Sequence, residues 1–158
     1  MSAETTELVL VGRWSAFDRM SGKEVHDLLR LRQDIFVVEQ GCAFPDIDGK
    51  DPEALHFRLF DEVADTLVGA LRVFLPEAGS RVARIGRVVM RAEYRGGGRG
   101  RMLMEAGLAK VRELVPTAEI ELSAQSHLHA FYAGLGFKSC SQEYLEDGIP
   151  HVDMVLQP

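Results

Sequence analysis

The sequence is poor in cysteine and has no long apolar run. Its 158 residues include two cysteines, Cys42 and Cys140, and no CxxC spacing, so neither a disulfide framework nor a zinc site is expected. No window approaches the ~18 apolar residues that a membrane span needs, and no secretory leader is recognisable. We therefore expect free thiols, a cytoplasmic location and no membrane partner.

Two common nucleotide-binding motifs are also missing. Neither GxxxxGK[ST] nor GxGxxG occurs in the sequence, which excludes P-loop and Rossmann phosphate sites. The formal net charge is −6, and non-specific binding to nucleic acid depends on an extended positive surface. No nucleic-acid partner is expected.

One acidic stretch resembles a metal site only superficially. Asp46, Asp48, Asp51 and His56 lie close together in sequence, but their spacing does not follow the calcium-loop template. We expect no metal. These acids either cap local turns or line a substrate entrance that attracts a cationic amine.

The positive charge is concentrated in one part of the chain. Between Arg81 and Arg101 there are seven arginines and one acid, which gives this stretch a charge of +6 and leaves −12 for the rest. A local cationic surface suits a small phosphorylated ligand. The alternative is that these arginines form a solvated face.

Hydrophobic periodicity predicts an α+β domain with one mixed sheet, and the chain has no linker or repeat that would divide residues 1–158. Ser21 followed by Glu24 is typical of a capping box at the first helix, and Ser126 is a candidate cap for the last. Hairpin turns are predicted at 62–66, 77–80 and 147–148. The predicted strands are 7–14, 56–61, 67–75, 85–90, 120–124, 139–145 and 152–156, and the predicted helices are 23–32, 102–115 and 128–133.

The most informative segment is a glycine-rich turn between an apolar strand and a helix. Glycines allow backbone amides to converge on one anion, and a helix N-terminus adds partial positive charge. Flanking arginines offer charge-assisted contacts to phosphate. The alternative is a flexible loop before a surface helix. The residues predicted to hold phosphate are Arg95, Gly96, Gly97, Gly98, Arg99, Gly100 and Arg101.

The pattern Arg95-x-x-Gly98-x-Gly100 resembles the acyl-CoA signature of the GNAT superfamily of N-acetyltransferases. The similarity continues through Ala130-Phe131-Tyr132 and Leu135-Gly136-Phe137. Segments 31–32, 35–40, 46–49, 124–128 and 146–151 resemble the ElaA-like branch, so that the likeness covers nearly the whole chain. One departure is Ala43, where relatives carry a proline.

The resemblance implies the GNAT fold, a mixed and mostly antiparallel sheet with splayed central strands and helices on both faces. It implies acetyl-CoA as co-substrate, with the backbone of Val88, Val89 and Met90 paired to the pantetheine arm. Gln125 and Ser126 stand where members place polar side chains near that arm, although Ser126 remains a candidate helix cap.

The resemblance also implies a role for Tyr132. A phenol can donate a hydrogen bond or a proton to the departing CoA thiolate, so Tyr132 is the candidate general acid. The alternative is that Phe131 and Tyr132 form an aromatic core pair.

The sequence does not identify the residue that acts as general base. Arg84 stands where some members carry a glutamate on the central strand, which removes that candidate. The remaining candidates near the substrate are Glu39, His56, Glu121 and His151. Each of them also has an ordinary structural interpretation.

The function that these observations imply is transfer of an acetyl group from acetyl-CoA to a primary amine of a small molecule or peptide. The acceptor, the acyl length and the oligomeric state are open, and a homodimer through the carboxy-terminal strands is one option. A second hypothesis is an enzyme like the acyl-homoserine lactone (AHL) synthases, and a third is a non-catalytic CoA-binding module. The residues whose order resembles the AHL synthases are Arg32, Phe36, Asp48, Asp51, Arg72 and Pro76.

Overall fold

A computed structural model describes residues 7–158, which form a sheet of eight strands and three α-helices. The strand order is β1-β2-β3-β4-β5-β8-β6, and β7 pairs with β8. The strands are β1 Leu10–Ala16, β2 Leu55–Asp61, β3 Thr66–Phe74, β4 Val82–Met90, β5 Glu119–Gln125, β6 Lys138–Ser139, β7 Tyr144–Glu146 and β8 Ile149–Leu156. The helices are α1 Gly22–Arg32, α2 Arg99–Leu114 and α3 His129–Ala133.

The first helix begins where the sequence predicts. The Ser21 side chain accepts a hydrogen bond from the Glu24 amide, and the Glu24 side chain accepts one from the Ser21 amide, so the capping box is present. Beyond Arg32 the chain continues as a π-helical segment, Gln33–Glu39, which the periodicity did not predict. This continuation carries the chain across the sheet toward the ends of β4 and β5.

Apolar side chains form two clusters, one on each face of the sheet. The larger cluster includes Leu103 and Met104 of α2, Tyr132 of α3, and inward side chains of the central strands. The smaller one packs Leu28 and Leu31 of α1 against the other face. We call these the α2/α3 face and the α1 face. The mixed sheet with helices on both sides confirms the predicted fold class.

The central strands β4 and β5 separate after a short pairing. They are parallel and register at Val82 with Glu119, Ala83 with Ile120 and Arg84 with Glu121, and the pairing ends there. The carboxy-terminal halves of both strands therefore leave backbone donors and acceptors on facing edges that no neighbouring strand satisfies. This separation creates the gap between the central strands that the resemblance to the GNAT superfamily implies.

A β-bulge changes the phase of β4 inside this gap. Arg72 pairs with Gly86 and Ala70 pairs with Val89, so two residues of β4 oppose the single Leu71 of β3. Arg87 has φ +49°. Because of the extra residue, side chains after the bulge point to the opposite face from the one that an ideal strand would give them.

Several predicted boundaries differ from the observed ones. The predicted strand 139–145 consists of two short strands, β6 and β7, and the strand predicted at 152–156 begins at Ile149. Ser126 is not a helix cap, because α3 begins at His129 with Leu128 at the N-cap and without a side-chain cap. The three predicted hairpin turns are present between their strands.

Within residues 7–158, every helix is too short or too polar to cross a bilayer.

Candidate active site

The gap between β4 and β5 opens into a cleft of about 970 Å³. Its walls are the last six residues of β4, the end of β5, helix α3 and the β7–β8 hairpin. This volume suits the arm of a large co-substrate together with a small acceptor, since ligand sites span roughly 300–1,000 Å³.

A crossing segment, Glu39–Phe44, closes the cleft on the α1 face. Its residues contact three different walls. Glu39 Oε2 lies 2.5 Å from Arg95 Nη2 beyond β4, and Gln125 Nε2 at the end of β5 donates to Gln40 Oε1 at 3.4 Å. Cys42 Sγ donates to the Asp147 carbonyl at the hairpin tip at 3.4 Å. The segment thus lies across the gap. Apart from the resemblance to the ElaA-like branch, no pattern in residues 39–44 predicted this position.

The glycine turn presents open backbone next to Arg95, a residue that lines the cleft. Gly96, Gly97 and Gly98 have φ values of +87°, +61° and +76°. At Gly96 and Gly98 nothing lies within 4 Å of the place that a β-carbon would take. Helix α2 begins immediately afterwards, so the amides of Gly100 and Arg101 lie in a first turn, where helices lack internal acceptors.

The three arginines of the turn have different surroundings. Arg95 lines the cleft, and its Nε donates to the Met90 carbonyl at 2.9 Å. Arg99 donates to the Tyr94 carbonyl at 3.3 Å, close to the turn. Arg101 lies against Glu105 at 2.8 Å and the Gly134 carbonyl at 3.3 Å. Arg95 is therefore the member of the group that faces both the cleft and the turn.

Tyr132 lines the cleft from the α2/α3 face. It is 7% exposed and packs edge-on against Phe131 and Phe137. Among residues 7–158 its hydroxyl has no hydrogen-bond partner. Burial raises the pKa of Tyr132 to about 12, so the phenol stays protonated at neutral pH and keeps its O–H available as a hydrogen-bond donor.

The two polar residues predicted near the pantetheine arm differ in placement. Gln125 lines the cleft at the end of β5. Ser126 does not line it, and its Oγ is buried without a hydrogen-bond partner in the described chain. A contact from Ser126 to a ligand would require the 3-10 turn Ser126–Leu128 to shift.

The structure brings two of the four base candidates to the cleft, Glu39 and His151. The Glu39 carboxylate forms an ion pair with the Arg95 guanidinium. His151 is 8% exposed, with Nδ1 2.7 Å from the Ile149 carbonyl and Nε2 3.5 Å from Glu146 Oε2. Its ring stacks on Tyr144.

The other two candidates lie away from the cleft. His56 is 1% exposed, with Nε2 2.8 Å from the Asp51 carbonyl, and burial lowers its pKa. Glu121 makes an ion pair with Arg84 at 3.0 Å, below the point where the strands separate. His56 is thus a buried structural residue, and Glu121 orients Arg84.

A buried ion network lies beneath the cleft on the α1 face. Asp51 Oδ1 accepts from Arg32 at 2.6 Å and from Arg72 at 2.9 Å. Arg72 also donates to Asp48 at 2.6 Å, and Arg87 Nη2 donates to the Asp46 carbonyl at 3.0 Å. The members are Arg32, Asp46, Asp48, Asp51, Arg72 and Arg87.

This network assigns a structural role to the acids that resemble a metal site. Each of the three aspartates is paired with an arginine, so their charges are already compensated. The part of the chain described contains no group of three or more His, Cys, Asp or Glu residues arranged to hold a metal ion. The Arg87 contacts also hold the bulge of β4 in its left-handed conformation. An isolated Gly86 inside a strand pattern was the available signal for that bulge.

The turn geometry leads to a prediction for Gly98→Ala. The left-handed backbone costs an L-residue about 1–2 kcal/mol, and the added methyl occupies space next to converging amides. We expect the dissociation constant for CoA, measured by calorimetry, to rise about tenfold or more.

Gly79→Ala is the matched control for this substitution. Gly79 has φ +81° and open space around it, and it lies between β3 and β4 rather than at the turn. The control should lose comparable stability and keep its affinity for CoA. Equal affinities in both variants would contradict a phosphate site at the turn.

Comparisons with known proteins agree with this geometry. A family model described as an acetyltransferase (GNAT) domain matches residues 51–158. The protein ElaA of Escherichia coli is 36% identical over 138 residues, which cover 87% of this chain and 90% of ElaA.

Solved structures show the same likeness. An acyl-CoA N-acyltransferase from Pseudomonas aeruginosa superimposes with a TM-score of 0.87 at 36% identity, covering 93% of this chain and 99% of that one. The AHL synthase LasI has a TM-score of 0.73 at 11% identity, covering 96% and 91%. At that identity the likeness to LasI concerns the fold alone.

Proposed function

The chain belongs to the GNAT acetyltransferase family, and on that premise we propose that it transfers an acetyl group from acetyl-CoA to a primary amine. The observation that carries the proposal is the continuity of one surface. Arg95, the unpaired end of β4 and Tyr132 line the same cleft, and the open glycine turn follows Arg95 directly in the chain. A diphosphate, a pantetheine arm and a thioester would need these three kinds of group.

Acetyl-CoA fits these groups by their chemistry. The turn offers backbone amides, a helix N-terminus and Arg95 to the diphosphate. Val88, Val89 and Met90 lie on the part of β4 that β5 does not pair, so an amide-containing arm can satisfy their backbone groups as an added strand would. With the arm in this position we place the thioester next to Tyr132, which lines the same cleft.

The reaction is a direct substitution at the thioester carbonyl. The neutral amine nitrogen attacks the carbonyl carbon, the C–N bond forms, and the C–S bond breaks with its electron pair on sulfur. Tyr132 donates a hydrogen bond to that sulfur. Because burial raises the pKa of Tyr132 to about 12, above the ~8.5 of an ordinary thiol, stabilisation of the thiolate by hydrogen bonding is favoured over complete proton transfer.

The test is a thiol-release assay with acetyl-CoA and a panel of amines. The panel contains a polyamine, an amino acid, an aminoglycoside, a peptide with a free amino terminus and a lysine-containing peptide. We expect release above the acceptor-free rate with at least one class, and mass spectrometry of the product should show one added acetyl group. Saturating acetyl-CoA should also raise the melting temperature.

Two other outcomes would support different functions. Thermal protection by CoA without release from any amine would favour a non-catalytic CoA-binding module. Neither protection nor release would favour a carrier-protein user of the AHL-synthase type, which shares the fold. Calorimetry that detects no interaction with CoA would overturn the proposal.

A further inference from the structure

We infer that His151 is the general base of this reaction and that Glu146 is its positioning residue. The inference rests on the proposed function and deepens it, because an attacking amine must lose a proton and the sequence left four candidates for its acceptor. The observation that separates them is the hydrogen bonding of one buried imidazole in the cleft wall.

The tautomer of His151 is determined by its backbone contact. Nδ1 lies 2.7 Å from the Ile149 carbonyl oxygen, which can only accept, so Nδ1 carries a hydrogen. In the neutral ring Nε2 then carries the free lone pair. Stacking on Tyr144, with ring centroids 6.1 Å apart, limits rotation of the ring. With its hydrogen on Nδ1, the neutral ring can accept a proton at Nε2.

The carboxylate of Glu146 stabilises the product of that proton transfer. Its Oε2 lies 3.5 Å from Nε2, so the imidazolium formed by accepting a proton gains an opposite charge beside it. Glu146 makes this contact at the nitrogen that receives the proton, so its proposed role is to orient the ring and to hold the imidazolium.

Strand order places His151 at the level of the unpaired end of β4. Arg84 is the last residue of β4 that pairs with β5, opposite Glu121. When the two bulge residues of β4 are counted as one position, four further positions lead to Val89 on β4 and to Gln125 on β5. Gln125 pairs with His151 on the other side of β5. His151 therefore lies level with the part of β4 that would hold the end of the pantetheine arm.

The acid and the base lie on opposite faces of the sheet. Tyr132 belongs to the apolar cluster that includes Leu122, Val152 and Met154. His151 alternates with Val152 along β8, so its side chain points to the α1 face. Tyr132 can thus approach the sulfur from the α2/α3 face, and His151 can approach the amine from the α1 face.

The proton balance is complete with these two groups. The amine nitrogen attacks as C–N forms, its extra proton passes to His151 Nε2, and His151 returns it to solvent. The sulfur leaves with the electron pair of the C–S bond, held by Tyr132 and protonated from solvent. No other reactant is needed.

Several other ionisable groups line the same cleft as His151, or lie on β8 or on the strands that pair with it. They are Glu146 and Tyr144 on β7, Asp147 in the hairpin, Asp153 on β8, Arg84 and Arg87 on β4, and Glu39 on the crossing segment. Of these, Glu146 makes the charge contact to the His151 ring.

The experiment is a pH–rate series on His151→Asn with the amine that gives the fastest thiol release. Asparagine retains a donor near the Ile149 carbonyl and removes Nε2. At pH 7.5 we expect kcat/KM to fall about 100-fold or more. The deficit should shrink above pH 9, where hydroxide can accept the proton that the amine nitrogen loses on attack, and calorimetry should show unchanged affinity for CoA.

Three further variants test whether the effect on the rate arises from proton transfer at His151. Glu146→Gln should lower kcat/KM less than His151→Asn does. His151→Ala should regain activity when imidazole is added, which a purely structural histidine would not show. His26→Asn, on the exposed side of α1, should leave the pH profile unchanged.

The outcomes distinguish this inference from the proposed function. If wild-type protein transfers acetyl groups and His151→Asn keeps its rate, His151 is not the base. A deficit that is constant from pH 6 to pH 10, or that accompanies lost CoA affinity, also overturns it. Absence of thiol release by the wild type with every amine would instead overturn the function and the inference together. If His151→Asn does not fold, the same series on His151→Gln decides.

Discussion

Tyr132→Phe is expected to lower kcat about 100-fold or more while affinity for acetyl-CoA stays nearly constant. The hydroxyl is the donor closest to the departing sulfur in the proposed reaction, so its loss affects the transition state rather than the ground state. Stability should be unaffected, because this hydroxyl has no hydrogen-bond partner among residues 7–158 and phenylalanine keeps the contacts to Phe131 and Phe137. Stopped-flow or steady-state thiol release and calorimetry measure the two quantities.

Tyr94→Phe is the matched control, because the same atom is removed outside the cleft. The Tyr94 hydroxyl donates to Asp61 at 2.7 Å, so this variant should lose about 1 kcal/mol of stability and keep its kcat. Tyr132→Phe should thus lower kcat and keep its stability, whereas Tyr94→Phe should lose stability and keep its kcat. A Tyr132→Phe variant with unchanged kcat would assign Tyr132 to the aromatic core alone.

Asp51→Asn is expected to lower the free energy of unfolding by about 3–5 kcal/mol. Asp51 is 4% exposed and accepts from two buried arginines, Arg32 and Arg72. The amide keeps the shape of the carboxylate and removes its charge, which leaves two buried guanidinium groups with too little negative charge. The melting temperature should fall by about 10 °C, as measured by calorimetry or by urea denaturation.

Asp27→Asn is the comparison on the surface. Asp27 pairs with Lys23 one helical turn away, and both side chains are largely exposed. Because solvent screens such pairs, no measurable change in stability is expected. A similar small effect at Asp51 would show that the buried network contributes little to the stability of this fold.

The same network predicts sensitivity to acid. The Arg72 guanidinium, which donates to Asp48, holds the pKa of that carboxyl well below its usual range. Burial raises the pKa of Asp51, but Arg32 and Arg72 outweigh burial and the net shift is downward. A lowered pKa stabilises the fold above the ordinary value of ~3.9, and that stability is lost as pH falls below it. Urea midpoints measured from pH 7 to pH 3 should therefore decline, and less steeply for Asp51→Asn.

Much of the fold was predictable because it depends on local patterns. The capping box at Ser21, the hairpin at Asp147 and Gly148, and the strand-turn-helix order around Gly98 are each encoded within a few residues. The resemblance to the GNAT superfamily rests on such local motifs as well. Helix α1 and the glycine turn accordingly lie where the sequence predicts them.

The arrangement of the candidate site was less predictable, because it depends on pairing across the chain. His56 and His151 look alike in sequence, and both follow turns. One is buried against the Asp51 carbonyl, and the other lines the cleft. The difference arises from which strand each residue joins and where that strand lies relative to the gap.

The bulge at Arg87 is a second feature that the sequence pattern did not predict, and it lies within a single strand. Ideal alternation would put Ile85 and Val89 on one face of β4. In the structure Ile85 packs in the cluster of the α2/α3 face, and Val89 packs in the cluster of the α1 face. One inserted residue exchanges the two faces for every residue after it.

By itself the sequence determined the family, the order of most elements and the glycine turn with its arginines. Only the tertiary structure decided which histidine reaches the cleft, which carboxylates are neutralised by arginines, and which face each residue of β4 presents. The physical reason is that capping, turns and helical periodicity involve neighbours within a few positions. Strand register and buried ion pairs join residues far apart in sequence, and their free energy depends on the packed structure as a whole.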